Sequence, residues 1–256
     1  MNLLRTEFRK IFPYRTFWVI LAVYVLLLVL ILYTSTSVEI NGKALGNETY
    51  QFPGLWMRLT YVAHFFNLLL GILVIVLVTD EYSYRTVRQE VIDGLSRAEV
   101  VLSKFYVVLA LAVFSTVFLL ALGLYFGLLY SSNTSINAMF SQIDYLSYYF
   151  VQAVAYMVLA MLFAFFIRKS GLAIIAFIAY TKIVEPLIHF KLPDHIDKYF
   201  PMKALDSLTP MPGQELFGQL TSPIEQLSPA MATLPSLLYT GLFLLFCYLI
   251  LKIRDL

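Results

Sequence analysis

The chain has 256 residues, of which 60% are hydrophobic and only 13% charged, with a mean hydropathy of +0.79. A soluble domain carries roughly a quarter charged residues, and a globule of this size has too little interior to hide so much apolar side chain, so the solvent is lipid. The net charge of +2 gives no reason to expect nucleic acid, and a single cysteine, Cys247, excludes an intramolecular disulfide or a cysteine-based metal cluster.

Residues 1–16 begin the chain with Leu4, Phe8, Ile11 and Phe12 at helical spacing, Arg5, Arg9 and Lys10 off that stripe, and Pro13 after it. This pattern predicts a short helix lying in the membrane interface. Six apolar runs follow, at 17–33, 59–79, 105–130, 145–167, 172–188 and 234–251, each close to the ~20 residues that cross a bilayer as helix. The first run is longer than a leader's apolar core and has no small-residue cleavage site after it, so it reads as a span. Aromatics gather at several run ends, among them Trp18, Tyr130 and Tyr145. The fold class expected is an all-α polytopic bundle of six transmembrane helices forming one domain.

Orientation follows from the basic residues. Segments 1–16 and 80–104, the turn after the fourth run and the C-terminal tail hold twelve Lys and Arg in about 50 positions. The alternate segments 34–58, 131–144 and 189–235 hold five in 86. Both termini are therefore expected in the cytoplasm.

Segment 80–104, DEYSYRTVRQEVIDGLSRAEVVLSK, is the most informative stretch, with nine of its 25 residues charged. Residues 86–93 suit a short helix, and Gly94 suits its C-terminal end. Ser96-Arg97-Ala98-Glu99 is a capping box, in which hydroxyl and carboxylate each satisfy a free backbone N–H of the helix that enters the third run. A passive connector needs only a few residues.

The fifth run contains Lys182, Glu185 and Pro186. On an α-helix Lys182 and Glu185 share a face and can pair, and Pro186 would kink or break the helix. Either the pair lines a pathway, or the helix ends near Tyr180 and the pair sits at the outer interface. Segment 189–235 holds seven prolines between short apolar stretches, and predicts short helical pieces dipping into the outer leaflet or capping the bundle.

No GxxxxGK[ST] stretch is present, so ATP is not bound through a P-loop, and no HExxH or His/Cys cluster suggests a metal. His64, inside the second run, reads as a hydrogen-bonded packing residue. No catalytic residue and no cofactor are expected.

An N-terminal interfacial helix, six spans, a charged loop after the second span and a long segment before the last resemble the ABC-2 type permeases of ATP-binding-cassette transporters. The loop carries the sharpest similarity, in Glu81, Thr86, Gly94-Leu95-Ser96-Arg97 and Lys104. It departs from that pattern at Arg85, where the family commonly has Gly, and at Leu95, where Pro is frequent. The resemblance implies that 80–104 holds a coupling helix docked on a separate ATPase, with Arg88 and Arg97 as polar contacts and Glu81 paired with Arg85 or Arg88. It further implies a dimer with a second permease copy or paralogue, location in a plasma (bacterial inner) membrane among its lipids, and export. A small secondary transporter or channel using Lys182 and Glu185, and a membrane scaffold, stand as alternatives.

Overall fold

The computed structural model describes residues 3–37, 39–40, 43–44, 50–189, 191–212 and 226–254. Six helices are long and apolar enough to cross a membrane. Helix α1 (Leu3–Ile11) precedes the first of them, α2 (Arg15–Ser37). A short antiparallel pair, β1 (Glu39–Ile40) and β2 (Lys43–Ala44), leads to α3 (Leu55–Ser83), α4 (Thr86–Ile92) and α5 (Arg97–Tyr130). Then come α6 (Ile136–Phe140), α7 (Asp144–Ile167) and α8 (Ser170–Ala179), which continues through a π-helical turn (Tyr180–Val184) into α9 (Glu185–His189). Helices α10 (Asp194–Asp197) and α11 (Pro201–Asp206) precede the last long helix, α12 (Pro229–Ile253).

The long helices outrun the apolar runs that announce them. Helix α5 begins eight residues before its run, at the Ser96–Glu99 capping box, where both reciprocal bonds form. Helix α12 begins with Ser228 as its cap and Pro229 in its first turn, and carries Pro235 inside it. Proline is tolerated in a helix's first turn because the N–H it lacks has no partner there.

Helix α7 is the centre of the bundle, packed against α3, α5, α8 and α12. Its residues 152–161 are all buried, and the small Ala153, Ala155 and Ala160 let its neighbours come close. Helices α3 and α5 approach as closely at Gly123, where a Cβ would lie 2.4 Å from the buried Trp56 ring. A hydroxyl chain ties four helices together. Tyr24 (α2) bonds Ser115 (α5) at 2.7 Å, Ser115 bonds Tyr149 (α7) at 2.6 Å, and Tyr149 donates to Asn67 (α3) at 2.9 Å. In lipid such polar contacts select helix neighbours that apolar faces alone leave unspecified.

The fifth span corrects two expectations. No break occurs at Pro186, because the π-helical turn just before it accommodates the imino acid, with the Glu185 N–H bonded to the Tyr180 carbonyl. The helix therefore does not end near Tyr180. The wider turn also removes Lys182 and Glu185 from a common face: Lys182 is exposed and Glu185 fully buried. Among the described residues the ion-pair partner of Glu185 is His189, 3.8 Å away, and not Lys182. Segment 189–235 forms α10 and α11, with Met202, Leu205 and Leu208 buried against the bundle. Residues 213–225 lie outside the described set, so Leu216, Phe217 and Leu220 do too.

Candidate functional site

The most concentrated chemistry lies at the end of the bundle that carries α1. Helix α1 buries Glu7 and Ile11, while α3 ends by delivering Asp80 and Glu81. Tyr84 and Arg85 make the turn into α4, with Arg85 in the left-handed conformation at φ 59°. The Thr86 hydroxyl donates to the Glu81 carbonyl at 3.2 Å. Helix α4 buries Val87 and turns Glu90 inward, then closes at Gly94, whose φ of +101° suits glycine alone.

Five charged side chains converge where these elements meet. Lys104, on α5 and only 5% exposed, places its ammonium 2.7 Å from a Glu7 carboxylate oxygen and 2.5 Å from Glu81, with Glu90 at 3.9 Å. Lys10 contacts Glu90 directly and lies 3.3 Å from Glu7 and 3.6 Å from Glu81. Beside them the Tyr14 hydroxyl donates to Asp80. Burial pushes the Glu7 carboxyl up, but the Lys104 and Lys10 ammonium groups outweigh it and hold Glu7 below its ordinary value. Burial likewise pulls Lys10 down, and the three carboxylates reverse this and raise it.

This cluster corrects the pairing expected for Glu81, which meets Lys104 and Lys10 in place of Arg85 or Arg88. The reason is geometric. Arg85 and Arg88 are exposed, on the far side of the α3–α4 turn, whereas Lys104 enters from α5 at the level of the last turn of α3. Glu7, Glu81 and Glu90 bring carboxylate oxygens within 4.8 Å of one another, a spacing a metal ion could use. The two lysine ammonium groups already supply the positive charge there. A cavity of about 180 Å³ adjoins the cluster, walled by Val74, Leu77, Val78 and Val107 and rimmed by Tyr14 and Asp80.

Of the other residues singled out in 80–104, Ser96 caps α5 and Arg97 donates to the Lys252 carbonyl at the end of α12. Arg88 sits on the exposed face of α4 with Gln89, Ile92 and Asp93. Sequence reasoning missed Glu7, Lys10 and Glu90. The available signal was Glu7 itself, an acid beside Leu4 and Ile11 at the edge of the apolar stripe of α1.

A second polar cluster occupies the opposite end. The Glu185 carboxylate accepts from the Met202 N–H at the start of α11, and His189 bridges Glu185 to Asp197, which also meets Lys203 at 3.4 Å. Gln152 on α7 donates to the Leu205 carbonyl at 3.1 Å and the Thr209 hydroxyl at 2.9 Å, and lies 3.0 Å from His64. His64 is hydrogen-bonded, as expected of a packing residue, and fastens α3 to α7 under α11.

The architecture is that of a polytopic membrane protein: a bundle of six helices able to cross a membrane, whose charged side chains gather at its two ends and lock terminal helices onto it. The chain matches the family described as ABC-2 family transporter protein over residues 3–183, and it belongs to that family. It is thus an integral membrane protein of the ABC-2 permease type. No curated protein matches it.

Proposed function

We propose that the chain is the membrane-spanning subunit of an ATP-binding-cassette exporter, driven by ATP hydrolysed on a separate ATPase subunit. The observation that carries this reading is the buried cluster Glu7–Lys10–Glu81–Glu90–Lys104. It joins α1, the end of α3, α4 and the start of α5, so that a push on α4 moves two spans and not a loop. Helix α4 is the coupling helix in this reading. Its Arg88, Gln89 and Ile92 face outward to an ATPase groove, while Arg85, Thr86, Gly94, Ser96 and Arg97 set its two ends. A rigid, capped element transmits a rigid-body movement between inward- and outward-facing states.

The α1 end is the cytoplasmic end in this proposal, with α1 in the interface and both termini inside. Arg5, Arg9, Arg15, Arg85, Arg88, Arg97, Lys252 and Arg254 all belong to it, as the positive-inside bias requires. Six spans make half a pathway, so two copies, or one with a paralogue, work with two ATPases. The bare sides of α2 (Val19, Val23, Leu26) and of the fifth span (Ile175, Leu187) face lipid or that second copy.

The test is purification of the tagged protein from its own membranes in mild detergent, with partners identified by mass spectrometry. Wild type brings down an ABC ATPase, and Arg88→Glu with Ile92→Asp, both on exposed positions, loses it without changing the elution of the permease. Absence of an ATPase from well-folded wild type would overturn the reading.

A further inference from the structure

Helix α1 has a second side. On a helical wheel Phe8 and Phe12 lie next to Ile11 and away from Glu7 and Lys10, and they open onto a groove of about 240 Å³ between α1, the start of α2 and α5. Phe8, Phe12, Phe17, Trp18, Ala110 and Phe114 line it, and every side chain around it is apolar. The Trp18 indole N–H is turned away from the groove's apolar content by its bond to the Phe12 carbonyl, 2.9 Å. Phe12 is 63% exposed and Trp18 46%, so the groove is open to whatever surrounds the protein at that height.

Three arginines lie three residues before aromatics of its lining. Arg5 precedes Phe8 by three residues and Phe12 by seven, Arg9 precedes Phe12 by three, and Arg15 precedes Trp18 by three, so each guanidinium stands one or two helical turns from a groove aromatic on its own face. All three arginines are exposed. Among the described residues none has a carboxylate partner, because the one acid of α1, Glu7, is committed to Lys104 and Lys10 on the opposite face. An apolar slot thus lies beside three exposed arginines that have no carboxylate partner among the described residues, where α1 hands over to α2.

We infer that this groove binds one anionic glycerophospholipid, with an acyl chain lying against the aromatic wall and the phosphate held by Arg5, Arg9 and Arg15. The charge decides between occupants. In a two-fold pair meeting at this groove, a second copy of this chain would bring its own basic α1 end to the site, and a zwitterionic lipid would leave the positive charge uncompensated. Guanidinium is the side chain best matched to a phosphate, which it meets through two parallel N–H donors. The inference requires that the chain span a membrane and is independent of whether an ATPase binds α4.

Native mass spectrometry of the full-length protein, extracted from vesicles of equal parts phosphatidylglycerol and phosphatidylethanolamine, reads the site directly. Wild type retains one phosphatidylglycerol per chain in preference to phosphatidylethanolamine. Each Arg→Gln change lowers that preference about fivefold, and Arg5→Gln/Arg9→Gln/Arg15→Gln abolishes it. Ala110→Trp, which fills the groove, loses the lipid altogether. A measurement on unaltered protein guards against a misfolded variant: phosphatidylglycerol with brominated acyl chains quenches Trp18 emission more than the brominated phosphatidylethanolamine does. Equal retention and equal quenching by the two lipids, or a preference that survives the triple change, overturns the inference. ATPase co-purification, measured on the same preparations, reports separately on the proposed function.

Discussion

Lys104 shows how far a single side chain can organise this protein. Its ammonium is shared by Glu7 and Glu81 at 2.7 and 2.5 Å with almost no solvent to replace either. Removing one partner of a buried ion pair leaves the other charged and unsolvated, at a cost of about 3–5 kcal/mol. Lys104→Met is therefore expected to lower the melting temperature in detergent sharply, and Lys104→Met with Glu7→Gln to recover part of the loss, because the second change removes a stranded charge. A double variant no better than the single one would show that the cluster is not coupled as its geometry indicates. Arg85 is a smaller case of strain. Holding a non-glycine residue at φ 59° costs about 1–2 kcal/mol, and the side chain is exposed. Arg85→Gly, which removes the Cβ clash of the left-handed conformation, should stabilise the fold by about 1 kcal/mol, and an unchanged or lower melting temperature would count against a strained turn.

At the scale of the element, α1 is held by charge on one face and by aromatics on the other. The charged face makes its docking depend on pH at both extremes. Glu7 is depressed in the folded protein, so its contribution is complete above its ordinary value of 4.5 and is lost as pH falls through the lower folded value. Lys10 is raised, so its contribution is complete below its ordinary value of 10.5 and is lost as pH climbs through the higher folded value. The emission of Trp18, whose ring packs on Phe12 at the end of α1, should shift below the first of these limits and above the second. A transition centred near neutrality would mean that another group controls the docking. The fifth span teaches the complementary lesson. Residues three apart share a face only at 3.6 residues per turn, and the π-helical turn at Tyr180–Val184 sends Glu185 inward to α11 while Lys182 stays exposed.

At the scale of the molecule, the bundle has a buried axis, α7, and two thinly covered long helices at its margins. Exposed apolar residues on α2 and the fifth span are ordinary for a lipid-facing surface, so they do not by themselves distinguish lipid from a partner. If two copies form the working unit, the purified protein should behave in mild detergent as twice 29.3 kDa once bound detergent is subtracted. A mass of one chain across a range of gentle detergents would speak for a different partner or none.

The number and order of the spans were legible in the sequence, because crossing ~30 Å of hydrocarbon forces some twenty apolar residues to be contiguous. The capping box at Ser96 and the break at Gly94 were legible for a related reason: each is satisfied by residues within a few positions of one another. The ion cluster was not. Glu7, Glu81 and Lys104 are 97 positions apart at the extremes, and no local pattern says which lysine a buried carboxylate will meet. Only the packing of α1 across α3 and α5 decides that, since in lipid apolar faces are interchangeable and scattered polar contacts select which helices become neighbours.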